Sequence, residues 1–156
     1  MAEERDDVFS YIERFSSVLV AVGFPPMAAR VFVALMVAQA GRLSAAELGE
    51  MLHISPAAVS GAVRYLMQVG IVHKERVPGS RRDYYRMPDD MWQELLRMRD
   101  QVMRRWLALT REGIDLVGAS SPAGERLAYH AAFLEFVSEE VPEVLKRWDE
   151  YRPTSG

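Results

Sequence analysis

Cysteine is absent from this 156-residue sequence, which excludes disulfides, thiolate metal sites and cysteine redox switches. Histidine is scarce. His53, His73 and His130 stand far apart, and none has the helical spacing to a second ligand that zinc sites use. There is no glycine-rich phosphate loop and no Gly-x-Ser-x-Gly, and no acid, base and nucleophile group together. No enzyme activity, metal or cofactor is expected. No apolar run approaches the ~20 residues of a membrane span. The amino-terminal MAEERDDVF is acidic and lacks the basic and apolar regions of a secretion signal. A cytoplasmic protein without membrane attachment is the expectation.

What is present is enough to build a core. Hydrophobic residues make up 49% and charged residues 26%, proportions typical of globular chains. The net charge is −3, unevenly spread. Residues 53–88 hold six Lys/Arg against two Asp/Glu, and the remainder 13 against 20. Because charge acts over about a Debye length, ~8–10 Å, a local basic face on an acidic body can still bind phosphates.

Hydrophobic spacing predicts helices through most of the chain. In Asp7–Val22 the apolar positions are Val8, Tyr11, Ile12, Phe15, Val18, Leu19 and Val22. After Gly23, Pro25-Pro26 opens a second helix to about Ala40, apolar nearly all round and so central, closed by Gly41. Ser44-Ala45-Ala46-Glu47 is a capping box for a third, with Ala45, Leu48, Met51 and Leu52 inward. A tight His53-Ile54 connection leads to Ser55-Pro56 and a fourth helix, ending near Val69 at Gly70. Its Val59, Ala62, Val63 and Leu66 share one face, and Ala57, Ser60, Gly61, Arg64 and Gln68 the opposite one. That second face suits either a solvated surface or contact with a groove. Ile71–Val77 and Arg82–Met87 then read as a two-stranded hairpin turned by Pro78-Gly79. Ser80, Arg81 and Arg82 crowd its tip, flanked by Lys74, Arg76 and Arg86. Guanidinium groups on a thin hairpin can enter a minor groove. Helix, turn, helix and basic hairpin in this order outline a winged helix-turn-helix.

The stretches AAELGEMLHISPAAVSGAVRYLMQVGIVHKE and GSRRDYYRM resemble the DNA-reading part of the MarR superfamily, including its GbsR-like branch and mycobacterial repressors of lipid-exporting pumps. FSSVLVAVGFPPMAARVFVALM and the helical tail agree in layout. The resemblance implies a homodimeric repressor that binds double-stranded DNA at a pseudo-palindromic operator. It implies DNA contact from Ser44, Ser55, Ala57, Ser60, Gly61, Arg64, Lys74, Arg81 and Arg82. Serine at 80 stands where the family usually carries aspartate, leaving open which of the two wing arginines enters the groove. It also implies a small aromatic or lipid-like effector, bound where dimer helices meet the reader, with Phe15, Leu19, Met36, Leu95 and Met98 as pocket candidates. Nine methionines allow a pliable pocket, although for any single one plain core filling is the favoured reading.

From Asp89 the chain returns to helix. Trp92, Leu95, Arg99, Val102, Trp106, Leu109, Gly113 and Leu116 recur by threes and fours, and after Ser121-Pro122 so do Leu127, Ala131, Leu134, Val141, Leu145 and Trp148. Pro142 is expected to kink or divide the second helix. These seams read as a dimer interface, or alternatively as an antiparallel hairpin within one chain. The expected architecture is therefore mainly α with a small β wing. A helix in 1–23 joins the dimerisation region, the reader spans 24–88, and dimerisation helices occupy 89–156. The competing reading is a winged-helix protein-interaction module without specific DNA binding.

Overall fold

A computed structural model describes the backbone of residues 2–152 and the side chains of 7–152. Residues 1 and 153–156, at the outer bounds of the expected N-terminal and C-terminal regions, lie outside the described residues. The chain forms two compact units, one through Met91 and one from Trp92.

The first unit contains α1 (Ala2–Ala21), α2 (Pro26–Met36), β1 (Arg42–Ser44), α3 (Ala45–Leu52), α4 (Pro56–Gln68), β2 (His73–Arg76) and β3 (Asp83–Arg86). Its centre is α2, as its all-round hydrophobicity requires. Ala28, Ala29 and every residue from Val31 to Leu35 are buried, with α1, α3 and α4 packed around them. The helix stops at Met36, earlier than the expected Ala40. After the Val37 amide reaches the Val33 carbonyl at 3.1 Å, Gly41 donates to Ala38 at 2.9 Å and the chain turns into β1. That strand is absent from the sequence reading because three residues show no period. It exists by pairing with β3, in the register Arg42↔Arg86, Leu43↔Tyr85 and Ser44↔Tyr84.

The expected two-stranded hairpin is thus a three-stranded antiparallel sheet, ordered β1-β3-β2. Its strands are shorter than expected, because Ile71 and Val72 are buried in the core ahead of β2. They follow a Schellman closure of α4, in which Ile71 donates to Leu66 at 2.9 Å and Gly70 to Met67 at 3.1 Å. The type II turn holds: Gly79 has φ 82° and Ser80 donates to Val77 at 3.0 Å. Two expected faces need correction. Ala45 is exposed, so α3 turns inward only Leu48 and Leu52, with Met51 half-buried. Of the α1 stripe, Ile12 is fully buried, whereas Val8, Tyr11, Val18 and Val22 are exposed.

The second unit is an antiparallel helix pair, α5 (Met91–Val117) and α6 (Pro122–Tyr151), joined by a tight turn in which Ser121 accepts the Gly124 amide at 3.0 Å. A Cβ at Gly124 would lie 2.1 Å from the Gly118 carbonyl oxygen, so only glycine fits there. The expected α6 seam is used inside this pair. Ala131 and Val141 are buried, Leu127, Leu134 and Leu145 half-buried, and Leu127 lies 3.2 Å from where Gly113 would carry a Cβ. On α5 the less exposed line is Leu96, Asp100, Met103, Leu107, Thr110 and Ile114, one residue beyond the expected seam. The expected residues Val102, Trp106, Leu109 and Leu116 point outward, Leu116 being 79% exposed.

Pro142 neither divides nor ends α6, which runs through it as one helix. Proline cannot donate to the carbonyl four residues back, and that carbonyl, of Ser138, accepts from Arg104 Nη2 at 2.9 Å instead. Arg104 Nε in turn donates to Asp100 at 2.8 Å. The sequence shows the proline but not the arginine that satisfies it from the neighbouring helix.

Candidate nucleic-acid interface

The local sequence builds two serine-capped helix starts, at Ser44 and Ser55. Ser44 caps α3 as a full capping box. Its hydroxyl and amide donate to Glu47 Oε2 at 2.6 and 2.7 Å, and the hydroxyl accepts the Glu47 amide at 3.3 Å. Ser44 is only 2% exposed and its hydroxyl and amide are engaged with Glu47, so what this helix start can offer a phosphate is the backbone amides beyond it. The hydrogen bonds from the Ser44 side chain and backbone, together with the nearby charge of Arg82, hold the Glu47 carboxyl below its ordinary value. At α4, Ser55 is exposed and accepts the Ala58 amide at 3.2 Å.

Between the helices His53 adopts φ 53° as the left-handed cap of α3, and Ile54 donates to Gly49 at 3.1 Å. This tight turn brings α4 across α3 with Val59, Ala62, Val63 and Leu66 buried. Ala57, Ser60, Gly61, Arg64 and Gln68 are all exposed on the opposite face. A Cβ at Gly61 would meet nothing within 4 Å, so no contact inside the chain requires glycine there. Arg64 makes no ion pair among the described residues. A small, open face followed by an unpaired guanidinium can lie against a groove floor and reach a base edge.

On the wing, Arg81 and Arg82 are exposed at the tip, where the Arg82 amide donates to Ser80 Oγ at 3.1 Å. Lys74 pairs with Asp83 at 2.7 Å, and Arg76 approaches the same carboxylate at 3.9 Å. Any phosphate held by Lys74 therefore competes with Asp83, a partner the sequence reading missed. Arg42 was also missed. It lies 3.6 Å from Glu75 and 5.4 Å over the Tyr84 ring, bracing β1 across the sheet. A strand too short to show a pattern could not signal it.

The five effector candidates are not brought together in one unit. Phe15 and Leu19 are half-buried on α1, and Met36 is exposed at the end of α2; Leu95 and Met98 are half-buried on α5 of the other unit. A hollow of about 540 Å³ opens elsewhere, at the wing base, lined by His73, Lys74, Glu75, Arg86, Pro88, Asp89 and Asp90. Among the described residues no helix is long and apolar enough to cross a membrane.

Comparison with known proteins matches this geometry. Residues 22–83 fit the MarR family model, and residues 90–151 fit one described as an MmpR5-like MarR family transcriptional regulator. The HTH-type transcriptional regulator MmpR5 of Mycobacterium tuberculosis is 25% identical over 92% of this chain and 88% of its own length. A crystal structure described as a transcriptional regulator superposes with a TM-score of 0.80 at 25% identity, covering 92% of this chain and 99% of that one. The family consists of transcriptional regulators rather than enzymes, and its members bind DNA and act as dimers. With both halves matched, and the helix-turn-helix, wing and long helices in place, the chain belongs to the MarR family of winged-helix transcriptional regulators.

Proposed function

We propose that this regulator is a cytoplasmic, homodimeric repressor that reads a pseudo-palindromic operator. Each copy lays α4 in a major groove, with Ala57, Ser60, Gly61 and Arg64 toward base edges or neighbouring phosphates. Ser55 brings the start of α4 to a phosphate, and the start of α3 offers the amides beyond Ser44. Lys74, Arg81 and Arg82 hold the wing on the flanking groove. The observation that carries this reading is the two-sidedness of α4: four buried residues against an exposed, small and basic face. Two-fold symmetry then sets half-sites about one turn apart, ~34–36 Å.

The exposed apolar faces of α1, α5 and α6 support dimerisation, since Val18, Trp106, Leu109, Phe133 and Phe136 are all more than half exposed. Contiguous exposed apolar surface marks interfaces. Release of DNA follows when an apolar effector favours a subunit spacing that no longer matches the half-sites. The candidate effector contacts are Phe15, Leu19 and Met36 on the reader unit, and Leu95 and Met98 on the helix pair. The GbsR-like placement and control of a transporter gene rest on the sequence resemblance alone.

A footprint on the DNA upstream of its own gene, followed by titration with that duplex and with random-sequence duplex, tests the reading. Arg64→Ala is expected to lose about 1–3 kcal/mol on the footprinted site. Replacing Arg81 and Arg82 together is expected to weaken binding and flatten its salt dependence. Equal affinity for both duplexes would reject sequence-specific control.

A further inference from the structure

We propose that Arg30 is a positioning residue for DNA reading: it fastens the turn between α3 and α4 to α1 and so sets the affinity of the reader. The inference rests on the DNA reading of α4 proposed above. Arg30 is the one cation on α2, and its side chain is only 15% exposed. Its Nε donates to Glu13 Oε1 at 2.6 Å, and its Nη2 donates to the Leu52 carbonyl at 2.9 Å. The guanidinium carbon also lies 5.8 Å from the centre of the Phe9 ring. Three elements therefore meet on one side chain: α2 carries it, α1 supplies Phe9 and Glu13 one turn apart, and α3 supplies its last carbonyl.

The chemistry of that carbonyl gives the contact its meaning. Leu52 closes α3, and carbonyls at a helix end have no partner within the helix. A cation there satisfies the oxygen and complements the helix dipole. The next residue is His53, left-handed at φ 53°, and its ring lies 5.6 Å from the Phe9 ring. Ser55 then caps α4. The short path from Leu52 to Ser55 determines the direction in which α4 leaves, and both Leu52 and His53 are tied to α1, one through Arg30 and one through Phe9. A largely buried guanidinium is tolerated when its donors are paired. Here the pairing spans the joint whose angle aims Ser60, Gly61 and Arg64. Arg30 touches none of these three, so it acts through the turn.

The test uses the full chain and an operator duplex selected by the wild-type protein from a random pool. Arg30→Met, Arg30→Lys and Glu13→Gln are titrated well below their unfolding midpoints, so that lost folding is not read as lost binding. Arg30→Met is expected to weaken operator binding about tenfold, and Arg30→Lys and Glu13→Gln less, since each keeps part of the clamp. The slope of log affinity against log salt should stay at the wild-type value, because no phosphate contact is removed. If Arg30→Met does not fold, a weakened Glu13→Gln with an unchanged slope carries the same conclusion. Affinities within about twofold of wild type for the folded variants would overturn the inference while leaving DNA reading intact. A slope reduced by about one would also overturn it, by making Arg30 itself a phosphate contact. A wild-type protein that selects no operator would overturn the DNA reading, and the inference with it.

Discussion

In the unit through Met91, the side chains of Ile12, Phe32, Leu48, Leu52, Val59 and Leu66 are withdrawn from solvent. In the unit from Trp92, the buried hydrophobic side chains among the described residues are Ala131 and Val141, both small, while Trp106, Leu109, Leu116, Tyr129, Phe133 and Phe136 are exposed. Both units use helices with apolar residues at the same spacing. The first has several elements folded round α2 and can bury one face of each. The second has two helices, and two helices cover only one stripe on each other. A seam of mostly half-buried residues and an exterior carrying exposed aromatic ones describe a surface made for another protein surface. The reader closes on itself, and the helix pair does not.

The sharpest way to break this comparison is the same substitution in both units. Leu48→Ala removes a fully buried side chain and is expected to lower stability by about 3 kcal/mol in denaturant unfolding. Leu109→Ala removes one that is 65% exposed. Its expected effect is on association, roughly 2 kcal/mol if Leu109 lies at the centre of the interface. Sedimentation would show it as a raised dimer dissociation constant, and the thermal midpoint at a given protein concentration would fall. If Leu109→Ala leaves association unchanged, the outer face of α5 is not the dimer surface.

A smaller effect separates folding from reading within the first unit. Because a side chain at Gly61 would meet nothing in the chain, Gly61→Ala is expected to stabilise α4 by up to about 1 kcal/mol. It should nevertheless weaken operator binding, since the added methyl stands on the face proposed to approach DNA. Opposite signs in thermal unfolding and DNA titration would sharpen the assignment. A gain in both would remove Gly61 from the interface.

The smallest effect is electrostatic. The Glu47 carboxyl is held below its ordinary value of 4.5 by the Ser44 hydrogen bonds, with Arg82 adding to them. A group with a lowered folded-state value favours folding above its unfolded value and loses that contribution as pH falls through the folded one. Stability of the reader should therefore drop on acidification below about 4.5, and Glu47→Gln, which keeps a capping-box residue, should flatten the drop. An unchanged acid limb in unfolding followed against pH would show that this cap adds nothing measurable.

Much of the reader was legible because its signals are local. The Ser44–Glu47 box, Ser55-Pro56, Gly70 and Pro78-Gly79 each specify a backbone event within four residues, and each event occurs where expected. The separation of Val59, Val63 and Leu66 from Ser60, Gly61 and Arg64 follows from helical geometry alone. The helix pair was less legible. A seam spaced by threes and fours says that a face is apolar, not which surface covers it. The α6 seam turned to α5, while the α5 seam turned out by one residue.

By itself, then, the sequence determined where α3 and α4 begin and end, which face of α4 is apolar, and where the basic residues gather. Propensity, capping and periodicity act over a few residues and can be read without partners. Only the tertiary structure decided that Arg42–Ser44 is a strand, that α6 passes through Pro142, and that Arg30 joins α1, α2 and the end of α3. In each case the deciding group lies far along the chain: β3 for the strand, Arg104 for the proline, Glu13 and Leu52 for Arg30. A backbone carbonyl or a buried charge must find its partner in space, and no local pattern records which residue will be there.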